Sequence, residues 1–137
     1  MKNSLMDKRY LLSFLWIFLT VNYIFCDVFS LMYSRDLKQI LEGKIGNLEL
    51  TQEFLLGFAI IMEIPMAMIL GSLFLYYKTN RILNIIASLL LIVVQIGSLI
   101  ADSCTLHYYF FSIIEITACI SIFWIAFTWK NVINPIR

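Results

Sequence analysis

The chain has 137 residues, of which 61% are hydrophobic and 14% are charged, and its formal net charge is +1. A soluble domain of this size has too much surface to hide so many apolar side chains, and about a quarter of its residues are normally charged. The near-neutral charge argues against a nucleic-acid partner. Composition therefore predicts one integral membrane domain over residues 1–137, with the lipid bilayer as its solvent.

Four apolar segments are long enough to cross roughly 30 Å of hydrocarbon as helices, which takes about 20 residues. They are Tyr10–Tyr33, Phe54–Tyr77, Ile82–Ala101 and Leu106–Trp129. The first segment follows basic residues, as in a secretory signal, but it exceeds signal length and has no small-residue cleavage site before Asp27. We interpret it as a retained helix, and the sequence predicts an all-α, antiparallel bundle of four transmembrane helices.

The long connection between the first two spans, Ser34–Glu53, contains Leu37, Ile40 and Leu41 at helical spacing, followed by Gly43. This pattern is typical of a short amphipathic helix that lies on the outer membrane surface and ends at a glycine. A solvated connector without regular structure is the alternative.

Basic residues are distributed unequally between the two sides of the predicted bundle. The side with both termini carries most of them: Lys2, Lys8, Arg9, Lys78, Arg81, Lys130 and Arg137. The other side carries Arg35, Lys38 and Lys44. By the positive-inside rule, we expect the N- and C-termini in the cytoplasm.

Three carboxylates lie within the predicted spans: Asp27, Glu63 and Glu115. A charge near the bilayer centre costs about 2.5–3.5 kcal/mol or more, so such residues are functional candidates by default. At about 1.5 Å of rise per residue, Asp27 and Gln95 lie about 9 Å from the outer ends of their spans, and Glu63 and Glu115 about 13 Å. We therefore expect these four side chains to meet in one layer of the bundle.

Helical periodicity also favours the bundle interior for Glu63. Ala59, Glu63, Ala67 and Gly71 recur every four residues, a spacing of small residues that is typical of a close helix contact. Pro65 follows two residues after Glu63, and it predicts a kink in the helix beside the carboxylate.

No lysine or arginine lies inside the predicted spans to neutralise the three acids. If the acids meet, we expect two of them to share a proton and to present one net negative charge in an apolar pocket. Such a pocket suits a hydrophobic or cationic small molecule, a lipid, or a proton relay, and Asn22, Tyr23 and Gln95 would complete its lining. Hydrogen bonds that only hold helices together are the alternative interpretation.

The residue types of soluble enzymes are sparse in this chain. Its three cysteines and single histidine have no metal-ligand spacing, and no glycine-rich phosphate loop occurs. We therefore expect no metal, no cofactor and no disulfide, and no catalytic residue is assigned.

Several segments resemble a bacterial family of small four-helix membrane proteins, domain-of-unknown-function family 6326. They are Asn22–Asp27, Thr51–Gly57, Met62–Met68, Asn80–Ala87 and Tyr109–Glu115, together with Trp124, Trp129 and Lys130. The resemblance covers nearly the whole chain. It implies a four-span bundle in a bacterial plasma membrane, and it brings no activity with it.

Asp27 late in one span, and Glu63 with Pro65 in the next, are similar to an arrangement in the sigma-2 receptor and emopamil-binding (EXPERA-like) membrane domains. In those domains, the acids line a pocket for amphiphilic amines or sterols, and some members isomerise sterols. Glu115 and the shorter intervening loop depart from that pattern.

Four functions are compatible with these observations. We expect a protein that binds a hydrophobic or cationic molecule at its acidic pocket. The alternatives are a small proton-coupled transporter that acts as a homodimer, an intramembrane isomerase with two acids as proton donor and acceptor, and a structural or accessory subunit.

Overall fold

The computed structural model describes residues 8–101 and 104–130, so Lys2 and Arg137 lie outside the described residues. Its elements in chain order are α1 (Lys8–Met32), α2 (Ser34–Leu41), β1 (Lys44–Ile45), β2 (Leu48–Glu49), α3 (Gln52–Phe74), α4 (Tyr77–Ala101) and α5 (Leu106–Phe127). Among the residues described, α1, α3, α4 and α5 are long and apolar enough to cross a membrane. The predicted bundle is therefore confirmed, and the chain is a multi-pass membrane protein. The cytoplasmic location of the termini stays a prediction.

The ends of the bundle are named here by their residues. The basic end contains Lys8, the turn between α3 and α4, and Lys130; the loop end contains the segment from α2 to β2 and the connection before α5. α4 begins at Tyr77, five residues before the predicted Ile82. The prediction from hydrophobicity began too late, because the polar side chains in the first turn of α4 are not apolar although their backbone is already helical.

The helices pack unevenly around α1. α1 lies along both α3 and α5, and α5 lies along α4, whereas α3 and α4 contact each other much less despite the short turn that connects them. The core contains Leu12, Trp16, Leu19, Leu91 and Ile122, all at most 1% exposed. α3 and α4 therefore leave room between them at the loop end.

A polar network joins three helices near the basic end. Asn84 of α4 accepts a hydrogen bond from Trp16 Nε1 of α1 at 2.7 Å and from Ser72 Oγ of α3 at 3.4 Å. Its own Nδ2 donates to the backbone oxygen and the Oδ1 of Asn80, and Asn80 Nδ2 donates to the Ser72 carbonyl at 2.6 Å. Since every amide here has a partner, the network holds α1, α3 and α4 in register.

Arg81 stabilises the end of α5 from the neighbouring helix. Its Nε donates to the Ala126 carbonyl at 3.1 Å, and its Nη2 donates to the Phe127 carbonyl at 2.9 Å. The last carbonyls of a helix have no intrahelical donors and carry partial negative charge, so a guanidinium is well suited to them.

The loop-end segment is more ordered than the sequence suggested. The predicted amphipathic helix is confirmed as α2, and it ends before Gly43, whose φ of 74° favours glycine. A small antiparallel hairpin of β1 and β2 follows, with Ile45 opposite Leu48. Its two-residue turn, Gly46-Asn47, has a positive φ of 55° at the glycine, which is typical of tight hairpins. The hairpin was not predicted, although this dipeptide is a recognised signal for one.

Candidate ligand site at the loop end

A small cavity lies between the four long helices in the half of the bundle nearer the loop end. Its volume is about 50 Å³, which is enough for a small polar group or for ordered water. It is lined by Tyr23, Cys26, Asp27, Phe58, Met62, Val94, Gln95, Ser98, Tyr108 and Glu115. We call it the acidic cavity, because its lining contains two carboxylates and no lysine or arginine.

Glu115 is the most unusual residue of the acidic cavity. It is 1% exposed, and neither of its carboxylate oxygens has a hydrogen-bond partner among the residues that the structure describes. Buried carboxylates are nearly always hydrogen-bonded or paired, because the loss of hydration must be compensated. Asp27 of α1 lines the same cavity, but it is exposed, and a second carboxylate supplies no positive charge. The Glu115 carboxylate therefore has neither a hydrogen-bond donor nor a positive charge beside it among the described residues.

The neighbouring polar side chains do not supply that donor. Gln95 Nε2 donates to Ser112 Oγ at 2.7 Å, and Tyr108 donates its hydroxyl proton to Ser98 Oγ at 2.7 Å. Ser98 Oγ in turn donates to the Gln95 carbonyl at 2.8 Å. These groups form a chain of bonds along the α4–α5 contact and leave the Glu115 carboxylate bare.

The structure brings together four of the six predicted site residues. Asp27, Glu115, Tyr23 and Gln95 all line the acidic cavity, as their similar depths suggested. At about 1.5 Å per residue, Asp27 and Gln95 lie about 8–9 Å from the loop ends of their helices, and Tyr23 and Glu115 about 13 Å. Depth along the helix was thus the informative signal.

The expectation that Glu63 joins this layer is wrong. Glu63 is exposed on the outer face of α3 and does not line the acidic cavity. The side of α3 that faces the bundle carries its three buried residues, Pro65, Met68 and Ser72. The four-residue spacing of Ala59, Glu63, Ala67 and Gly71 places these residues on one face of α3. It does not indicate whether that face contacts another helix of the same chain.

Asn22 and Pro65 also lie outside the cavity. Asn22 Nδ2 donates to the Phe18 carbonyl one turn earlier in α1, so its amide is satisfied within its own helix. Pro65 lies inside α3 and is fully buried, and the kink beside it stays a prediction.

Sequence reasoning missed most of the apolar lining and two hydroxyl groups. Tyr108 was not predicted as a site residue, because it lies two residues from the start of α5, where tyrosine is also typical of the membrane–water interface. Ser98 lies three residues after Gln95 and so on the same side of α4, a spacing that was available in the sequence.

Comparison with known proteins gives a family for this arrangement. A family described as "Family of unknown function (DUF6326)" matches residues 3–134. The chain belongs to this family. No curated protein and no solved structure matches the DUF6326 chain, and its similarity to the sigma-2 receptor and emopamil-binding domains stays a prediction.

An apolar layer closes the acidic cavity of this DUF6326 protein toward the basic end. Leu19, Leu91 and Cys119 are at most 1% exposed, and they separate Glu115 from the network around Asn84. At the side of the bundle, the cavity borders the gap between α3 and α4, where Phe58 is 40% exposed. The cavity is therefore closed toward the basic end and borders the lipid side between two helices.

The chemistry of the site is that of an anionic, mostly apolar pocket. Within the described parts of the chain, no group of three or more histidine, cysteine, aspartate or glutamate residues is placed to hold a metal ion. Two carboxylates with no base beside them can hold a cationic head group, or they can share a proton.

Proposed function

We propose that this membrane protein binds an amphiphilic amine, a hydrophobic molecule with one cationic head group, in the acidic cavity. The observation that carries the proposal is the buried Glu115 carboxylate, whose two oxygens have no partner in the described structure. An ammonium group would supply both the missing hydrogen-bond donors and a charge opposite to that of the carboxylate. Asp27, beside it in the same cavity, would share that charge.

The size of the cavity supports a ligand that is only partly enclosed. A volume of about 50 Å³ suits an ammonium head group, but a drug-sized molecule fills about 300–1,000 Å³. The apolar part of the ligand would extend out of the cavity between α3 and α4, past Phe58 and Met62, and lie against lipid. A molecule with a compact cationic end and a hydrophobic tail therefore fits better than a uniformly polar one.

Proton-coupled transport is supported less well than binding. A transporter needs a path that reaches both ends of the bundle, and the apolar layer of Leu19, Leu91 and Cys119 lies across that path. The two carboxylates of the cavity also leave an intramembrane isomerase as an alternative, but nothing in the lining favours a particular reaction.

The test uses the full-length protein in phosphatidylcholine nanodiscs with dodecylamine as the probe. Dodecanol, which has the same alkyl chain without the charge, is the matched control for lipid partitioning. We expect dodecylamine to raise the melting temperature, measured by tryptophan fluorescence, because binding at about 100-fold above Kd adds about 2.7 kcal/mol. Dodecanol should give no such rise.

Two variants distinguish binding of dodecylamine in the acidic cavity from a general effect of the protein's charge. Glu115→Gln removes one charge from the cavity, and Glu53→Gln removes one from the exposed first turn of α3. We expect Glu115→Gln to lose the dodecylamine effect and Glu53→Gln to keep it. An equal response of both variants to dodecylamine would refute the proposal.

The same variants also test the purely structural alternative. Since Glu115 makes no hydrogen bond in the described structure, Glu115→Gln without ligand should melt no lower than the wild type. A structural role in holding helices together requires a lower melting temperature instead.

A further inference from the structure

Glu63 lies at the centre of a helix face that no other part of the described chain covers. It is the middle residue of α3, about 16 Å from either end of the helix. The residues that surround it on this face are all exposed: Leu56, Ala59, Ile60, Met66, Ala67 and Leu70. The carboxyl group therefore faces the hydrocarbon core of the membrane in a single copy of the chain.

A carboxyl group in that position requires a partner. Ionisable residues at mid-membrane depth almost always face protein or water, because lipid provides no hydrogen bonds. Glutamate is too short to reach the interface from about 16 Å. The described lysines and arginines lie in the loop-end segment or at the basic end, so none of these basic groups can reach Glu63.

We propose that the Glu63 face of α3 pairs with the same face of a second copy of this chain. A twofold axis along the membrane normal brings each residue of the face opposite its counterpart at the same depth. Each Glu63 then meets a carboxyl group, and one protonated carboxyl can donate a hydrogen bond to the other. Ala59 and Ala67, one turn away on either side, allow the two backbones to approach closely.

A second copy fits this face better than an unrelated subunit. An unrelated helix would need a polar group of its own at the same depth, whereas the second copy supplies one by symmetry. α3 is also the least buried of the four long helices, with 11% of its most apolar window buried against 28–33% in the others. The α3 pair is separate from the acidic cavity, so this proposal does not depend on the proposed ligand.

Disulfide cross-linking of full-length protein in liposomes tests the pair. Ala67→Cys places a thiol on the Glu63 face, and Ile120→Cys places one at similar depth on the exposed side of α5. Both are made with Cys104→Ser, since Cys26 and Cys119 are buried whereas Cys104 is partly exposed. With copper phenanthroline at low protein density, we expect covalent dimers from Ala67→Cys and only background cross-linking from Ile120→Cys.

Substitution of Glu63 itself tests the role of the carboxyl pair. Glu63→Leu in the Ala67→Cys protein should lower the dimer association constant between about threefold and twentyfold, because one interhelical hydrogen bond is worth about 0.6–1.7 kcal/mol. Glu63→Gln, which can still form a side-chain pair, should keep the dimer. Melting of each variant in nanodiscs checks that it is folded. Equal cross-linking of the two cysteine positions, or a dimer that Glu63→Leu leaves unchanged, would overturn the proposal.

Discussion

Replacement of Asn84 should destabilise the bundle more than any other single amide substitution in α1 or α4. Asn84→Leu keeps the approximate volume of the side chain but removes the acceptor for Trp16 Nε1 and the donor to Asn80 Oδ1, both at 2.7 Å. Two side-chain hydrogen bonds in a membrane protein are worth about 1.2 kcal/mol at the average value. The Trp16 N–H, buried without an acceptor, adds about 1–3 kcal/mol. We therefore expect a loss of about 2–4 kcal/mol.

The assay is reversible unfolding by steric trapping in bicelles, which measures the free energy of unfolding in a lipid environment. Asn22→Leu is the matched control, because Asn22 donates only to the Phe18 carbonyl of its own helix and lies on the partly exposed side of α1. We expect that control to change stability by less than about 0.5 kcal/mol.

A double-mutant cycle isolates the bond between the helices. Trp16→Phe keeps an aromatic ring in the core but removes its N–H, so its combination with Asn84→Leu should be less harmful than the sum of the single changes. The expected coupling is about 0.6–1.7 kcal/mol. Equal effects of Asn84→Leu and Asn22→Leu, or strict additivity in the cycle, would show that the network contributes no interhelical stability.

Two further substitutions test the ends of the elements. Arg81→Met should lower stability by about 1–2 kcal/mol in the same unfolding assay, because the Phe127 carbonyl loses its guanidinium donor and the Ala126 carbonyl keeps only the Trp129 N–H at 3.3 Å. Lys78→Met, at an exposed position, is the control. Gly43→Ala should cost about 1–2 kcal/mol locally, since its φ is 74° although a Cβ there would meet no atom within 4 Å. Faster hydrogen exchange confined to α2 and the hairpin would be the expected signature, and slower exchange would contradict it.

The bundle could be predicted because its main determinant is local. Each span is a continuous apolar run, and lipid permits such a run only one regular structure, a helix with its backbone bonds satisfied internally. The amphipathic α2 was likewise visible as a spacing of three apolar residues before Gly43. The Asn80–Asn84 pair was not, because the predicted span began at Ile82 and placed Asn80 outside the helix, where a spacing of four residues has no meaning.

The acidic cavity was predictable only as far as depth determines contact. Asp27, Glu115, Tyr23 and Gln95 lie at similar distances from the loop end, and α5 packs against both α1 and α4, so the four side chains meet. Glu63 lies at a comparable depth, but α3 is apolar on all sides, and its sequence does not indicate which side faces the bundle. That choice is made by contacts between helices, which include the bond from Ser13 of α1 to the Ile69 carbonyl.

The position of the polar network relative to the acidic cavity has a mechanical consequence. α3 and α4 are fastened to each other through Ser72, Asn80 and Asn84, near the basic end, whereas the cavity lies at their free ends. Phe58 is about 21 Å along α3 from Ser72, so a tilt of about 5° would move it by about 2 Å. Pro65, which removes one backbone donor between these two points, makes such bending cheaper. A tilt of this kind would enlarge the acidic cavity beyond about 50 Å³ and leave the hydrogen bonds of the network in place, so that a ligand larger than this volume could be admitted.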